Sequence, residues 1–479
     1  MKKRNVGIVL SYAYTFLNMV IGLFMSSFML RQLGDVEYGL YQTVSSFATY
    51  LVLLEFGTGS VMSRNVVVAK NKNDADYLKK NITTIWYMTF ILSLIILIVA
   101  SVFYFNIGFI YSKTMSNEQV LYAQRIFIWI VGYLVCSFFV QTLNGLLLGF
   151  ENYKFGQIIS IVRLLIRTLI LVSVILFYKH AIIISIADFS VSLIAFAVTF
   201  MYCKKKYYIS LRLSDFNWGI FRQSLPLCSA LLIQSLVNQA NNNVDKFIIG
   251  IQISLESVAI YSVAQYIYSI FSAITTIPIS MYLPQIAAEI GEDYNGKRIT
   301  KVLLSPARLI CVLGGTVLFG FFACGKQFIS IVYGESKTEA WLYSLIIMIP
   351  MLLNMITGPI INVLDVLNKR QSRSYALLFT TILNIIMTIC FINLWGIIGA
   401  VIATAIATIL GQIIIMNIYY EKVLEIDIKW LYANTMSKII PFQLVAATIG
   451  FFFGISITNR IASFVVSGAV YVIISFGLI

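Results

Sequence analysis

Six ionisable side chains lie inside long apolar stretches of the sequence, where a charge is unfavourable unless it has a partner or a polar cavity. They are three acids and three bases: Glu55, Arg163, Arg167, Asp188, Asp245 and Lys246. Charges at such positions typically mark substrate or ion pathways. These six are therefore the first candidates for a functional site, as substrate contacts, coupling groups or charge pairs.

Arg163 and Arg167 are four residues apart and so share one face of a helix. A guanidinium group forms planar, two-pronged hydrogen bonds with phosphate oxygens, so the pair is suited to clamp a diphosphate. A second interpretation makes the two arginines structural. In it, Arg163 pairs with Glu55. In the same interpretation, Arg167 pairs with Asp188. The sequence leaves the clamp and the structural interpretation open.

A stripe of amides precedes Asp245 at helical spacing, formed by Gln234, Asn238, Asn241 and Asn242. Such a stripe cannot face lipid. It either lines a cavity and contacts sugar hydroxyls, or lies in a buried contact where amides cross-link helices. The number of amides favours the cavity.

The composition places these residues in a membrane protein. Hydrophobic residues make up 59% of the 479 positions and charged residues only 11%, too little polar surface for a water-soluble globule. Apolar runs of roughly 20 residues recur along the chain, and in hydrocarbon such runs must be helical. We predict an all-α integral membrane protein with about 14 transmembrane helices.

The predicted spans form two halves of six helices and a final pair. They lie near 7–30, 38–62, 82–106, 122–148, 155–178, 181–202, 225–249, 256–283, 306–331, 340–366, 374–394, 396–419, 438–456 and 461–479. The predicted regions are an N-terminal lobe at 1–205, a basic cytoplasmic linker at 206–223, a C-terminal lobe at 224–420 and a helix pair at 421–479.

The net charge of +14 does not indicate nucleic-acid binding, because the charges follow the membrane topology. Most of the 34 lysines and arginines fall in alternate connections, which the positive-inside rule assigns to the cytoplasm together with both termini. Short outside connections leave no room for an external domain. The sequence contains no phosphate-binding loop, nucleophile elbow or clustered metal ligands, so we predict no enzyme activity, no metal and no cofactor.

The two halves show a faint internal repeat. FMLRQLGDVEYGLYQTVSSF is similar to FIIGIQISLESVAIYSVAQY, with Tyr41 matching Tyr261, and GFENYKFGQI is similar to DVLNKRQSRS. Six helices per half give parallel repeats, one of the known plans of secondary transporters.

The N-terminal third also resembles a known family. FMLRQLGDVEYGLYQTVSSF, LLEFGTGSVMSRN and GLLLGFENYKFGQI, in this order and spacing, resemble the Wzx-type oligosaccharide flippases of the MOP exporter superfamily. That resemblance implies alternating access of two lobes, which carries undecaprenyl-diphosphate-linked sugar repeats from the cytoplasmic to the outer leaflet for capsule, exopolysaccharide or O-antigen assembly.

The resemblance also implies roles and partners. Arg163 and Arg167 would meet the diphosphate, and the amide stripe would meet sugars. The partners would be the polyprenyl-diphosphate-linked oligosaccharide, membrane lipids, a polysaccharide polymerase and glycosyltransferases. Residues 5–30 hold no charge, unlike the first helix of the lipid II flippase branch and of many drug exporters.

Three other classes remain as alternatives. The nearest is a cation-coupled exporter of small amphiphiles, similar to MATE transporters. A membrane glycosyltransferase or polymerase would need a sizeable external loop with catalytic acids or arginines. A non-transporting scaffold would leave the intramembrane charges without a purpose.

Overall fold

The computed structural model describes an all-helical chain. Its backbone is described for residues 2–55, 57–72, 74–207, 209, 211–290, 294–367 and 369–478. Within these ranges, side chains are not described at 2–9, 11–12, 53–54, 71–72, 153, 227, 229–242, 277, 280–281, 283–284, 370, 476 and 478. No strand occurs in the described ranges, and the predicted fold class is confirmed.

The chain forms two compact units, Met1–Val258 and Ala259–Ile479. The helices of the first unit are α1 (Lys2–Leu51), α2 (Thr58–Lys72), α3 (Ala75–Ile110), α4 (Asn117–Gly149), α5 (Tyr153–Ile175), α6 (Ile182–Tyr207) and α7 (Trp218–Gln252). Short 3-10 turns lie at Val52–Glu55 and Leu213–Asp215. The predicted lobe boundaries, which concern topology rather than packing, stay a prediction.

The second unit begins within α8 (Leu255–Met281). It continues with α9 (Leu283–Ile290), α10 (Gly296–Val332), α11 (Glu339–Ile356), α12 (Ile360–Val366), α13 (Arg370–Trp395), α14 (Ile397–Ala407), α15 (Met416–Val423), α16 (Ile428–Met436), α17 (Ile440–Ile455) and α18 (Arg460–Leu478). A 3-10 turn at Glu335–Lys337 precedes α11, and a π-helical segment at Thr408–Ile415 joins α14 to α15.

Ten of the described helices are long and apolar enough to cross a membrane, or eleven when α16 and α17, bent by 41°, count as one span. The difference from about 14 has three sources. The first predicted span and most of the second lie within α1 and count once, although the kink at Gly34 separates them. Many side chains of α7 lie outside the described residues, and the described apolar part of α18, Arg460–Ser475, is shorter than the others.

Gly34 divides α1 into two spans where the sequence predicted a loop over 31–37. Its backbone has φ 79° and ψ 174°, a left-handed conformation that glycine adopts without strain. In the matching segment of the internal repeat, α7 ends at Gln252 and α8 begins at Leu255. Both copies of the first repeated motif therefore contain a sharp break followed by a helix.

The second repeated motif also has similar local structure in both units. In the turn between α4 and α5, Asn152 Nδ2 donates to the hydroxyls of Tyr202 (2.9 Å) and Tyr207 (3.2 Å). At the start of α13, Ser372 donates to the hydroxyl of Tyr419 over 2.8 Å. Each turn is thus joined to tyrosines of a later helix in the same unit.

The first unit has an apolar core shared by several helices. Val66 of α2, Ile85 of α3, Leu146 of α4 and Cys203 of α6 are all buried within one cluster. The outer surface is apolar as well, since Phe105 and other large side chains of α3 are exposed. An apolar core beneath an apolar surface is the arrangement expected in lipid, where the surface needs no polar cover.

Candidate functional site

Helix α5 carries both candidate arginines into the interior of the first unit. It begins after the turn at Glu151 and Asn152, where Glu151 has a φ of 58°. The helix packs against α1 and α6. Because Arg163 and Arg167 lie on the same face, both reach the space between α5 and these neighbours.

Arg167 is bound by a carboxylate. Its Nε donates to Asp188 Oδ1, and its Nη2 donates to Asp188 Oδ2 over 3.1 Å. The arginine side chain is 29% exposed and the aspartate 14%, so the pair is partly shielded from solvent. This two-pronged pair neutralises the guanidinium and fixes its orientation.

Arg163 has a different environment. Its guanidinium carbon lies 5.6 Å from the centroid of the Tyr133 ring, within the range of a cation–π contact. In the part of the chain that the structure describes, no carboxylate pairs with it. The ion pair between Arg163 and Glu55 that the structural interpretation required is therefore absent, although the pair between Arg167 and Asp188 is present.

A cavity of about 470 Å³ opens beside these residues, within the volume range of small-ligand sites. Helices α1, α4, α5 and α6 and the 3-10 turn after α1 supply its lining, which contains both polar and apolar side chains. The lining residues of the site are Tyr14, Asn18, Tyr41, Ser45, Ala48, Thr49, Val52, Ile130, Tyr133, Leu134, Ser160, Arg163, Leu164, Arg167, Asp188 and Val191.

The uncharged polar residues of this lining were missed in the sequence. Tyr41, Ser45 and Thr49 follow one another every fourth residue along α1, and Tyr14 precedes Asn18 by the same spacing. This is the periodicity of one helix face. A scan for hydroxyl and amide stripes in the first two spans would have found them.

Tyr41 connects this stripe to the ion pair. It lies within electrostatic reach of both Arg167 and Asp188. The site therefore combines one paired cation, one cation without a carboxylate partner among the described residues, and several hydroxyl groups that donate or accept hydrogen bonds.

The other candidates lie outside this cavity lining. Glu55 is half-buried at the end of the 3-10 turn after α1. Asp245 is buried on α7, within electrostatic reach of Tyr50, and Lys246 beside it is half-buried. The structure thus brings together three of the six charged candidates, Arg163, Arg167 and Asp188.

The amide stripe belongs to α7, as the sequence predicted for a span near 225–249. The side chains of its members lie outside the described residues: Gln234, Asn238, Asn241 and Asn242. Their role in sugar contacts stays a prediction.

Long apolar helices around a cavity that holds an ion pair and a cation without a carboxylate partner among the described residues define a multi-pass membrane protein with an internal polar site. The model of the family described as polysaccharide biosynthesis protein matches residues 4–288, more than half of the chain. The chain belongs to this family. A search of curated proteins found no match.

Solved structures share the fold. One described as lipid II flippase MurJ in an inward closed conformation matches with a TM-score of 0.73 and 18% identity over 98% of both chains. An inward-facing multidrug resistance MATE family transporter of the MOP superfamily matches with a TM-score of 0.66 and 13% identity, over 85% of this chain and 96% of that one. A MATE structure in complex with MaD3S gives 0.55 and 13%, over 86% and 92%.

The resemblance to Wzx-type flippases of the MOP superfamily is thereby confirmed in family and fold. At these identities the solved structures establish the fold alone. The fold is shared with solved structures that are described as a flippase and as transporters, and the chain is a multi-pass membrane protein.

Proposed function

We propose that this protein flips undecaprenyl-diphosphate-linked oligosaccharide repeat units from the cytoplasmic to the outer leaflet by alternating access. The product would serve capsule, exopolysaccharide or O-antigen assembly. The observation that carries the proposal is Arg163, a half-buried cation in a polar cavity with no carboxylate partner among the described residues. Membership of a family of polysaccharide biosynthesis proteins supports a saccharide-bearing substrate, and its diphosphate would be the anion that Arg163 binds.

The physical problem for such a substrate is the transfer of charges and hydroxyls across hydrocarbon. An unpaired phosphate or sugar hydroxyl in lipid loses its hydrogen bonds to water and gains none. A cavity with a guanidinium and several hydroxyls replaces part of that hydration. The polyprenyl chain needs no such replacement, since lipid solvates it.

The two arginines would divide the work. Arg163 would contact the diphosphate directly, because no carboxylate in the described chain competes for it. Arg167 is neutralised by Asp188 and would shape the site instead of carrying the substrate's charge. In this proposal the diphosphate is bound by Arg163 alone instead of by both arginines, and the ion pair of Arg167 and Asp188 supports the site.

The remaining candidates keep their predicted roles within this proposal. The α7 amides Gln234, Asn238, Asn241 and Asn242 would meet sugars. Glu55, Asp245 and Lys246 would act in coupling or charge pairing.

The orientation and partners follow the same proposal. Both termini would lie in the cytoplasm and the protein in the cell membrane, and the distribution of lysine and arginine supports this orientation. Glycosyltransferases would act before the flipping step, and a polysaccharide polymerase would act after it.

A second candidate function is cation-coupled export of small amphiphiles. The likeness of the fold to MATE transporters and the carboxylate of Asp188 in the cavity favour it. Against it, residues 5–30 hold no charge, whereas many drug exporters of the superfamily place charges in the first helix.

Depletion of the protein in its own cells tests the proposal. Lipid-linked saccharide is expected to accumulate on the cytoplasmic leaflet, and re-expression of the wild-type protein is expected to reverse the accumulation. A strain that cannot initiate the lipid-linked saccharide serves as the control. If glycan assembly continues unchanged and only the efflux of amphiphiles falls, the exporter is the correct function.

A further inference from the structure

Residues 211–218, which lie after α6 and end at the first residue of α7, form a surface segment that is attached to α3. We name residues 211–218 the strap. Tyr87 donates its hydroxyl proton to the carbonyl of Leu211 over 3.2 Å, and the amide of Asn217 donates to Thr84 Oγ1 over 3.0 Å. Both contacts attach the strap to α3.

An ion pair adds a third attachment and determines the charge that the strap displays. Lys79 Nζ lies 2.9 Å from Asp215 Oδ2, and the aspartate side chain is only 13% exposed. Asp215 is the one acid in the sequence between Lys204 and Arg222. With this acid bound to α3, the outward charges of the strap region are all positive.

Two large apolar side chains are displayed on the same segment. Leu213 is 73% exposed and Trp218 is 72% exposed. Phe216 lies beneath them, packed edge-on against Trp218 and Tyr87. Two contacts to the backbone, at Leu211 and Asn217, and the ion pair of Asp215 hold the segment that displays Leu213 against α3.

Exposed basic side chains precede and follow these apolar ones in the sequence. They are Lys204, Lys205, Lys206, Arg212 and Arg222. Within the described part of the chain, neither Arg212 nor Arg222 forms an ion pair. The strap lies between the end of α6 and the first turn of α7, in the stretch between the predicted spans 181–202 and 225–249.

We propose that the strap is a docking surface for anionic phospholipid headgroups, with Leu213 and Trp218 inserted among the lipids. Tryptophan is enriched at the boundary between lipid and water, and clustered arginine and lysine attract anionic leaflets. Charge complementarity favours one occupant: five exposed cations, with Asp215 paired with Lys79 and the neighbouring Asp76 paired with Lys80, select a negatively charged lipid surface. The surface is separate from the cavity of Arg163.

Depth-dependent fluorescence quenching tests the proposal on the full chain. Cys136, Cys324 and Cys390, which are not fully buried, are changed to serine, and a bimane label is attached through Leu213→Cys. The protein is reconstituted into vesicles of phosphatidylcholine, alone or mixed with phosphatidylglycerol, that contain brominated lipids. Quenching is expected to be about twofold stronger with the anionic lipid and to weaken at high salt.

Two comparisons keep the test sharp. Arg212→Gln with Arg222→Gln is expected to abolish the response to phosphatidylglycerol while size-exclusion behaviour stays unchanged. A label at Ser112→Cys, in the exposed turn at the other end of α3, is expected to show no such response. Quenching that is equal in both kinds of vesicle, or absent from both, would overturn the proposal. The strap would then be a candidate binding surface for a soluble acidic partner.

Discussion

Arg163 and Arg167 are one helical turn apart, yet only one of them has a carboxylate partner in the described chain. We therefore expect substitutions of the two arginines to have different effects. A cation that meets the substrate directly is needed for its transfer, whereas a cation locked in an ion pair supports the shape of the site.

Arg163→Ala is expected to lower the transport rate at least about tenfold, and Arg163→Lys to restore part of it, because lysine keeps the charge but loses the planar fork. The measurement is the initial rate of lipid-linked saccharide translocation in vesicles, normalised to inserted protein. Arg125→Ala is the matched control, since Arg125 is an exposed arginine outside the cavity lining. An unchanged rate for Arg163→Ala would exclude the direct contact.

Arg167→Gln is expected to destabilise the protein by up to about 3 kcal/mol, because it leaves the Asp188 carboxylate largely buried without its partner. This loss of stability lies at the low end of the range for broken buried ion pairs, because the pair borders a cavity and is partly exposed. Combining Arg167→Gln with Asp188→Asn removes both charges and is expected to recover most of the loss. Thermal unfolding in detergent measures both, and equal losses in the single and double variants would contradict the pairing.

The sequence alone could predict part of this site. The cost of charge in hydrocarbon drew attention to Arg163, Arg167 and Asp188, and the structure brings all three together. The choice between Glu55 and Tyr133 as the neighbour of Arg163 depends on how helices pack, which residue spacing does not encode. Tyr41 was recognised only as part of a repeat, because an uncharged hydroxyl is less conspicuous than a charge.

At the scale of helices, close contact between α2 and α4 depends on glycine. A Cβ atom on Gly145 would lie 2.6 Å from the carbonyl carbon and 2.7 Å from the Cα of Gly59, both backbone atoms that cannot rotate away. Small residues allow such approach between membrane helices. Hydroxyls of Thr58 and Thr89, which lie 3.0 Å and 2.9 Å from that of Thr142, link α2, α3 and α4 at the same level.

Gly145→Ala is therefore expected to destabilise the first unit by about 1–3 kcal/mol through overpacking. Gly156→Ala is the matched control, since its nearest neighbours would lie at 3.9 Å and 4.0 Å, an ordinary contact distance. That substitution is expected to be neutral or mildly stabilising because alanine favours helix. Thermal unfolding of the two variants measures the difference, and equal stability would show that α2 and α4 separate easily.

The helices themselves were largely predictable, because runs of apolar residues in lipid have few alternatives to a helix. Their breaks were less so. Gly34 interrupts α1 at a single residue where a connection over 31–37 was expected, since one left-handed glycine turns the chain without a loop. The bend between α16 and α17 was also not foreseen.

At the scale of the whole molecule, the positive charge is concentrated in alternate connections. Lys204, Lys205 and Lys206 end α6, whereas the short turn before α6 contains Lys179 alone among lysines and arginines. If translocation of cations is disfavoured during insertion, the end of α6 is cytoplasmic and its start is external.

Labelling of single cysteines checks this topology. Cys390, the one native cysteine in the exposed class among the described residues, is first changed to serine. A membrane-impermeant maleimide is then expected to label Lys179→Cys in intact cells. Lys205→Cys, equally exposed, is expected to react only after the membrane is opened. The Cys390→Ser parent supplies the background. The reverse pattern would place both termini outside, and substrate would then have to enter the cavity of Arg163 from the opposite leaflet.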